Sequence, residues 1–337
     1  MTTRSRRHTA AGAALSRRAV LAAGVALVSA TAGCTRFFDD SDTDTADDLV
    51  AHVPADSTVL THLDTSAIAA ADDAQQVLDD LAAVDPDHVD GVMAAIDAQT
   101  GLDPLTADEV LVFAVADAES DTTAILESDW TEAHVVESLE ETTGHEYERV
   151  TDEDEPARYE PAQTPAADSS EATLEPSALG VYGDGRFIVG DADAVRASLA
   201  VHADDATAVS GPIRDAYDDA RGAQIAVASE SSGSPIPAEY AALVGLNTDI
   251  FDEVEAVGRS YTAVTAGVAL EVRFHVGDER DATELETVLN GALPVLGELD
   301  AELEAAREDV IVSRNETVVE VTYEGDADAV FALLDEV

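Results

Sequence analysis

The sequence predicts an α+β fold in two related halves, each an antiparallel sheet built from strand-strand-helix units with helices packed on one face. Three observations carry that expectation. Short apolar runs come in pairs around turn residues, and a stripe of apolar residues at helical spacing follows. Single strands and single helices do not alternate as a parallel sheet requires. The string Gly-Asp-Ala-Asp-Ala-Val occurs twice, at 190–195 and 325–330, each time between an expected hairpin and an expected helix. There the glycine permits a sharp exit, the first aspartate caps and the second favours the positive helix start.

The first half spans 50–208 and opens at Val53-Pro54-Ala55-Asp56-Ser57, a turn. Thr58 to Leu63 alternates as a strand. Ile68, Val77 and Leu81, then Val89, Val92, Met93 and Ile96, keep helical spacing until Gly101 and Pro104 end it. Glu109 to Ala116 and Thr122 to Leu126 read as a hairpin around Asp117 to Asp121. Asp129 is the expected cap of the next helix, with Glu132 three residues on as in a capping box, Val135, Val136 and Leu139 as its stripe, and Gly144 as its stop. The stretch 151–176 is rich in Asp, Glu, Pro, Ser and Thr and reads as a surface loop. Ala178 to Tyr182 and Arg186 to Val189 flank the tight-turn signal Gly183-Asp184-Gly185.

The second half spans 209–337. Ser229 to Pro237 reads as another loop. Val268 to Val276 forms a strand that runs into Gly277-Asp278 and a helix carrying Leu285, Val288 and Leu289. Val310 to Ser313 and Thr317 to Tyr323 pair around Asn315.

Residues 1–33 carry Arg4, Arg6, Arg7, Arg17 and Arg18 and no acid, in a chain otherwise crowded with carboxylates. Such a break marks a processed leader. An apolar stretch follows Arg17-Arg18 from Ala19 to Ala32. Its 14 residues suit a signal core better than a bilayer span, which needs roughly 20. The stretch ends in Thr31-Ala32-Gly33-Cys34, where small residues give a peptidase access and the thiol can take a lipid. Cys34 is the only cysteine, so it has no disulfide partner within the chain. Residues 34–49 read as a solvated acidic tether.

Of the 17 basic residues five lie in the leader, so residues 34–337 carry 12 basic against 71 acidic residues, a formal charge of −59. Self-repulsion of that size destabilises a compact domain in dilute buffer, and molar salt screens it. Every basic residue is arginine and aromatic residues make up 4% of the chain. The composition points to a salt-loving host, and its sign excludes nucleic acid as a partner, because phosphate binding rests on Lys and Arg.

No local catalytic motif is found. Without lysine there is no P-loop, Schiff-base or Ser-x-x-Lys site. Gly183-Asp184-Gly185 has Ile188 where a dinucleotide fingerprint needs its third glycine. His145-Glu146 has Arg149 where a zinc helix needs a second histidine, although His134 and His145 are close enough in sequence to meet across a helix. Asp40, Asp42 and Asp44 open like a calcium loop that then fails at Thr45 and Ala51. The acids at 152–155 offer at most loose cation binding, and Trp130 is expected in the core. No cofactor and no metal site is implied. Asn315-Glu316-Thr317 is a glycosylation acceptor sequence on a hairpin turn.

With Arg17-Arg18, Thr31 to Cys34 and the Val53-Pro54-Ala55-Asp56 opening, the whole chain resembles the haloarchaeal lipoproteins of uncharacterised function that are exported by the twin-arginine route. Val20 stands where such signals often have phenylalanine, and Thr31 where the lipobox often has leucine. The resemblance implies passage through the twin-arginine translocase and a lipid anchor on Cys34 in the outer face of the cytoplasmic membrane. It agrees with a non-enzymatic role in binding a surface protein or small solute. A solute-binding component of a transporter is the alternative, and an envelope hydrolase with a dispersed triad a third.

Overall fold

The computed structural model describes residues 48–71, 89–115, 123–153, 155–162, 177–231, 233–234, 247–264, 267–299 and 307–325. Their strands are β1 (Ser57–Leu63), β2 (Glu109–Val115), β3 (Thr123–Glu127), β4 (Tyr147–Arg149), β5 (Ala157–Pro161), β6 (Ala178–Gly183), β7 (Arg186–Gly190), β8 (Ile225–Glu230), β9 (Val254–Val264), β10 (Gly267–Val276), β11 (Val310–Asn315) and β12 (Val318–Gly325). All twelve join one sheet in the order β11-β12-β10-β9-β8-β1-β2-β3-β7-β6-β5-β4, and every neighbouring pair is antiparallel. The strands expected in separate sheets therefore share one, joined where β1 pairs with β8 from Val59↔Ser229 to Leu63↔Ile225.

Six α-helices are described: α1 (Thr65–Ala70), α2 (Val89–Thr100), α3 (Glu132–Thr143), α4 (Ala192–His202), α5 (Pro212–Ala220) and α6 (Glu279–Leu299). They cover both faces of the sheet, which corrects the expectation of one. Ile68, Ile96, Val135, Leu139, Leu285 and Leu289 place α1, α2, α3 and α6 in one apolar layer. Val195, Leu199, Ile213, Ala216 and Tyr217 place α4 and α5 in a second, with the short 3-10 helix Leu49–His52. The cause lies in the central strands. In β2, Val110 and Val112 enter the first layer while Leu111 and Phe113 enter the second. A strand apolar on both faces needs a cover on both. Burying each such large side chain contributes about 1.5–3 kcal/mol.

Local chemistry sets the element ends. The Asp191 side chain accepts from the backbone of Asp193 and Ala194 and caps α4, and Asp278 does the same for α6 through Arg280 and Asp281. The cap of α3 is Thr131, not Asp129: its hydroxyl accepts from the His134 backbone N–H, and Glu132 is the first helical residue. Gly144 ends α3 in the left-handed conformation, at φ 72°. Within the expected 151–176 loop, β5 pairs with β4 and β6, with Tyr147 buried and its hydroxyl donating to the Ser177 carbonyl at 2.8 Å. The helix expected after Gly325, the 72–88 part of the first helical stretch, and 232 and 235–237 of the expected 229–237 loop lie outside the described residues, while Ser229 and Glu230 end β8 instead of opening a loop.

Candidate functional site

Three polar clusters interrupt the apolar layers. The first lies where β1 meets β2 and α5. His62 stands opposite Leu111, so Glu109 projects from the same face two residues along β2, and His62 Nε2 donates to Glu109 Oε2 at 3.4 Å. That hydrogen bond is the main cause holding the Glu109 carboxyl below the usual range, against the opposing effect of burial. The His62 side chain is 9% exposed, and its Nδ1 is buried without a partner. The Tyr217 ring meets the imidazole edge-on at 6.2 Å, and burial drives its phenol far above the ordinary range.

Beside Tyr217, Asp48 accepts from Arg214 at 3.1 Å and from Arg221, while Arg214 also holds Asp218 at 2.9 Å and lies over the Tyr217 ring. Asp48 at the same time accepts from the Val50 N–H and so caps the first 3-10 helix. Two guanidinium groups on one carboxylate, itself 14% exposed, fix Asp48 to α5. The His62–Glu109 pair ties β1 to β2 on the face that α5 covers.

The second cluster decorates the α5 side of β10 and β12. Arg273 stands opposite Glu320 and donates to it at 3.1 Å, and also to Glu271 and to the Asp219 carbonyl. Ser313 donates to Glu320 at 3.2 Å. Burial, then the hydrogen bond with Glu320, pushes the Glu271 carboxyl up to about 8, whereas Glu320 is lowered through that same bond. His275, 3.5 Å from Asp219, is lowered by burial despite the aspartate.

The third cluster is a stack of rings between the first 3-10 helix and α4. His52 lies on Tyr182 at 4.6 Å, and His202 meets their rings at 4.9 and 5.0 Å. Tyr182 and Ser198 hydroxyls lie 2.6 Å apart, and Ser198 donates to the His52 carbonyl. Burial, then the His202 and Arg186 charges, lowers His52 to about 4.

The residues singled out from sequence fare differently. Cys34, Arg17, Arg18 and the Asp40–Asp44 stretch lie outside the described residues. Asn315 is exposed at the β11–β12 turn, followed by Glu316 at φ 52°. His134 and His145 do not meet: His134 lies in the first turn of α3 and His145 beyond Gly144, which ends it. Around the acids at 152–155, Arg149 donates to the carbonyls of Asp152 and Glu155 at 2.8 and 3.0 Å, so the loop is folded on a guanidinium. Trp130 packs against the core. Among the described residues no group of three or more His, Cys, Asp or Glu is placed to hold a metal, and no helix is long and apolar enough to cross a membrane. None of the three clusters was visible in sequence, because each is completed by residues from elements far apart in the chain, as Asp219 of α5 completes the Arg273 cluster.

No family model matches the chain, and no curated protein does. Solved structures do. Crystal form I of TP0453 superposes with a TM-score of 0.47 at 8% identity, over 86% of this chain and 97% of that one. Crystal form III gives 0.46 at 9%, over 86% and 98%.

Proposed function

We propose that this chain is a lipoprotein of a halophilic archaeon, exported through the twin-arginine translocase, anchored by a lipid on Cys34 to the outer face of the cytoplasmic membrane, and acting there by binding rather than by catalysis. The observation that carries this reading is the clamp on Asp48. Asp48, which follows the segment read from sequence as a tether, is held by Arg214 and Arg221, which fix it to α5. A body hung from a lipid needs such a fixed point of attachment.

The reading includes descent of the two halves from one unit. Supporting it, the order β1-β2-β3-β7-β6 on one side of the β1–β8 pair has the same pattern as β8-β9-β10-β12-β11 on the other, with α3 and α6 following the third strand of each.

The test is intact mass and membrane partition of native protein, wild type against Cys34→Ser. A lipid-sized mass increment and membrane retention, both lost in the variant, are expected. Equal masses and equal partition would overturn the anchor. An Asn315→Gln variant measured alongside reads glycan occupancy by its own mass difference.

A further inference from the structure

The twelve-stranded sheet is open, so it has two edge strands, β4 and β11. An edge strand leaves a row of backbone N–H and C=O groups unpaired, and folded proteins blunt such edges with short strands, charges, proline or bulges. The β4 edge is blunted. It is three residues long, its Glu148 and Arg149 are exposed, and Arg149 folds the following loop onto its own guanidinium. The β11 edge is not. Val310–Asn315 runs six residues without proline, glycine or bulge, in unbroken register with β12, and it begins Val-Ile-Val. Among the described residues no strand pairs with its outer side.

Asn315 and Val318 close the β11–β12 hairpin around a two-residue turn, so the odd-numbered residues of β11 bond to β12. The N–H and C=O groups of Val310, Val312 and Arg314 therefore point outward. Val310 and Val312 pack their side chains on the α6-side core, whereas Ile311, opposite Thr322, lies on the other face and is 43% exposed. The charge of the stretch also differs from that of the rest of the chain. Between Arg307 and Asn315 two arginines match two acids, Glu308 and Asp309, while residues 34–337 as a whole carry 71 acids against 12 basic residues. Two copies can approach here without the repulsion that the rest of the surface imposes.

We infer that β11 is the contact through which two copies of this chain join into one continuous sheet. The strand is its own complement. Antiparallel pairing about a two-fold axis at Ile311 sets Val310 of each copy against Val312 of the other, where their outward backbone groups bond in pairs. It also brings the Glu308 end of each copy to the Arg314 end of the other. The two Ile311 side chains meet across the axis as a non-hydrogen-bonded pair, the kind in which side chains lie closest. Such an axis is perpendicular to the sheet, so both α5 faces, and with them both Asp48 residues, stay on one side of the joined sheet. That geometry suits two anchored copies, although the pairing does not depend on the anchor. Because the axis uses the unguarded edge of each copy, assembly stops at two.

The test is sedimentation equilibrium of the full chain carrying Cys34→Ser, over a range of concentrations at molar potassium chloride, where charge is screened and no lipid contributes. A dimer is expected. Ile311→Lys sets like charges opposite each other on the axis and is expected to weaken the dimer by about tenfold or more at unchanged melting temperature. Leu105→Lys, at a residue 38% exposed on a 3-10 helix away from the edge, is expected to leave the dimer intact. A second readout reports the register even where the lysine variant folds poorly. With Cys34 replaced, Ile311→Cys supplies the only thiol of each copy, and the two Cα atoms of such a pair lie about 4.5 Å apart, within disulfide reach. Mild oxidation is expected to give a covalent dimer. Ser313→Cys is expected to give none, because Ser313 of each copy lies opposite Asp309 of the other. A monomer at all concentrations, association beyond two copies, a dimer that Ile311→Lys leaves as tight, or cross-linking at 313 as efficient as at 311 would each overturn the inference.

Discussion

His52 shows how one side chain ties fold to solvent. The imidazole is stacked on Tyr182 and loses its proton far more readily than in the unfolded chain, where it titrates near 6.5; in the fold its value is about 4. The unfolded chain therefore binds the extra proton first, and the stability contributed by neutral His52 is complete above pH 6.5 and lost as pH falls through 4. His202, lowered chiefly by burial, acts in the same direction. Glu271 has the opposite sign, since its raised carboxyl favours the fold below its unfolded value and loses that contribution as pH rises through about 8. Comparison of wild type with His52→Phe isolates the histidine, because phenylalanine keeps the ring on Tyr182 but cannot titrate. Melting temperature followed from pH 7 to pH 4 at molar salt should fall less steeply in the variant. Parallel profiles would show that His52 does not govern the acid limb.

At the scale of elements, α5 and β9 approach each other closely. A Cβ on Gly258 would lie 2.6 Å from the Ala216 carbonyl oxygen, a backbone atom that moves only if α5 moves. Gly258→Ala should therefore cost about 1–3 kcal/mol, the range for overpacking a tight contact. Denaturant melts at fixed salt would show it as a lower midpoint at unchanged slope, and an unaltered midpoint would mean that α5 yields freely. The same region shows what the sequence could and could not disclose. The hairpins β2–β3, β6–β7 and β11–β12 were legible because their strands are short apolar runs separated by turn residues. β9 was not recognised, because Gly258 and Arg259 interrupt the apolar pattern in the middle of its 11 residues. β4 and β5 were hidden because an edge hairpin needs few apolar side chains, and Tyr147 and Ala157 are its only buried ones. The Asp48 clamp joins residues 166 and 173 positions apart, and no local pattern announces such a contact.

Over the whole molecule, charge outweighs any single pair. Arginines of the described body are mostly spent on local carboxylates: Arg158 with Glu160, Arg186 with Glu127, Arg196 with Asp193, Arg280 with Glu284 and Arg314 with Glu286. The exposed pairs among them, Arg196–Asp193 and Arg280–Glu284, contribute at most about 1 kcal/mol each. With 12 basic and 71 acidic residues after the leader, most carboxylates have no cation to meet, and their mutual repulsion reaches across the sheet. The range of that repulsion is about 10 Å at 0.1 M salt and about 3 Å at 1 M, the latter shorter than the spacing between neighbouring strands. Folding should therefore require salt as a screen rather than as a ligand. Circular dichroism of the Cys34→Ser chain is expected to lose its folded signal as salt drops from molar to tenths of molar, with sodium and potassium chloride interchangeable and an uncharged osmolyte a poor substitute. A melting temperature that stays level across that range would show that the sheet's two apolar layers withstand the repulsion unaided. A strong preference for one cation would place the dependence in a specific site instead of in the surface as a whole.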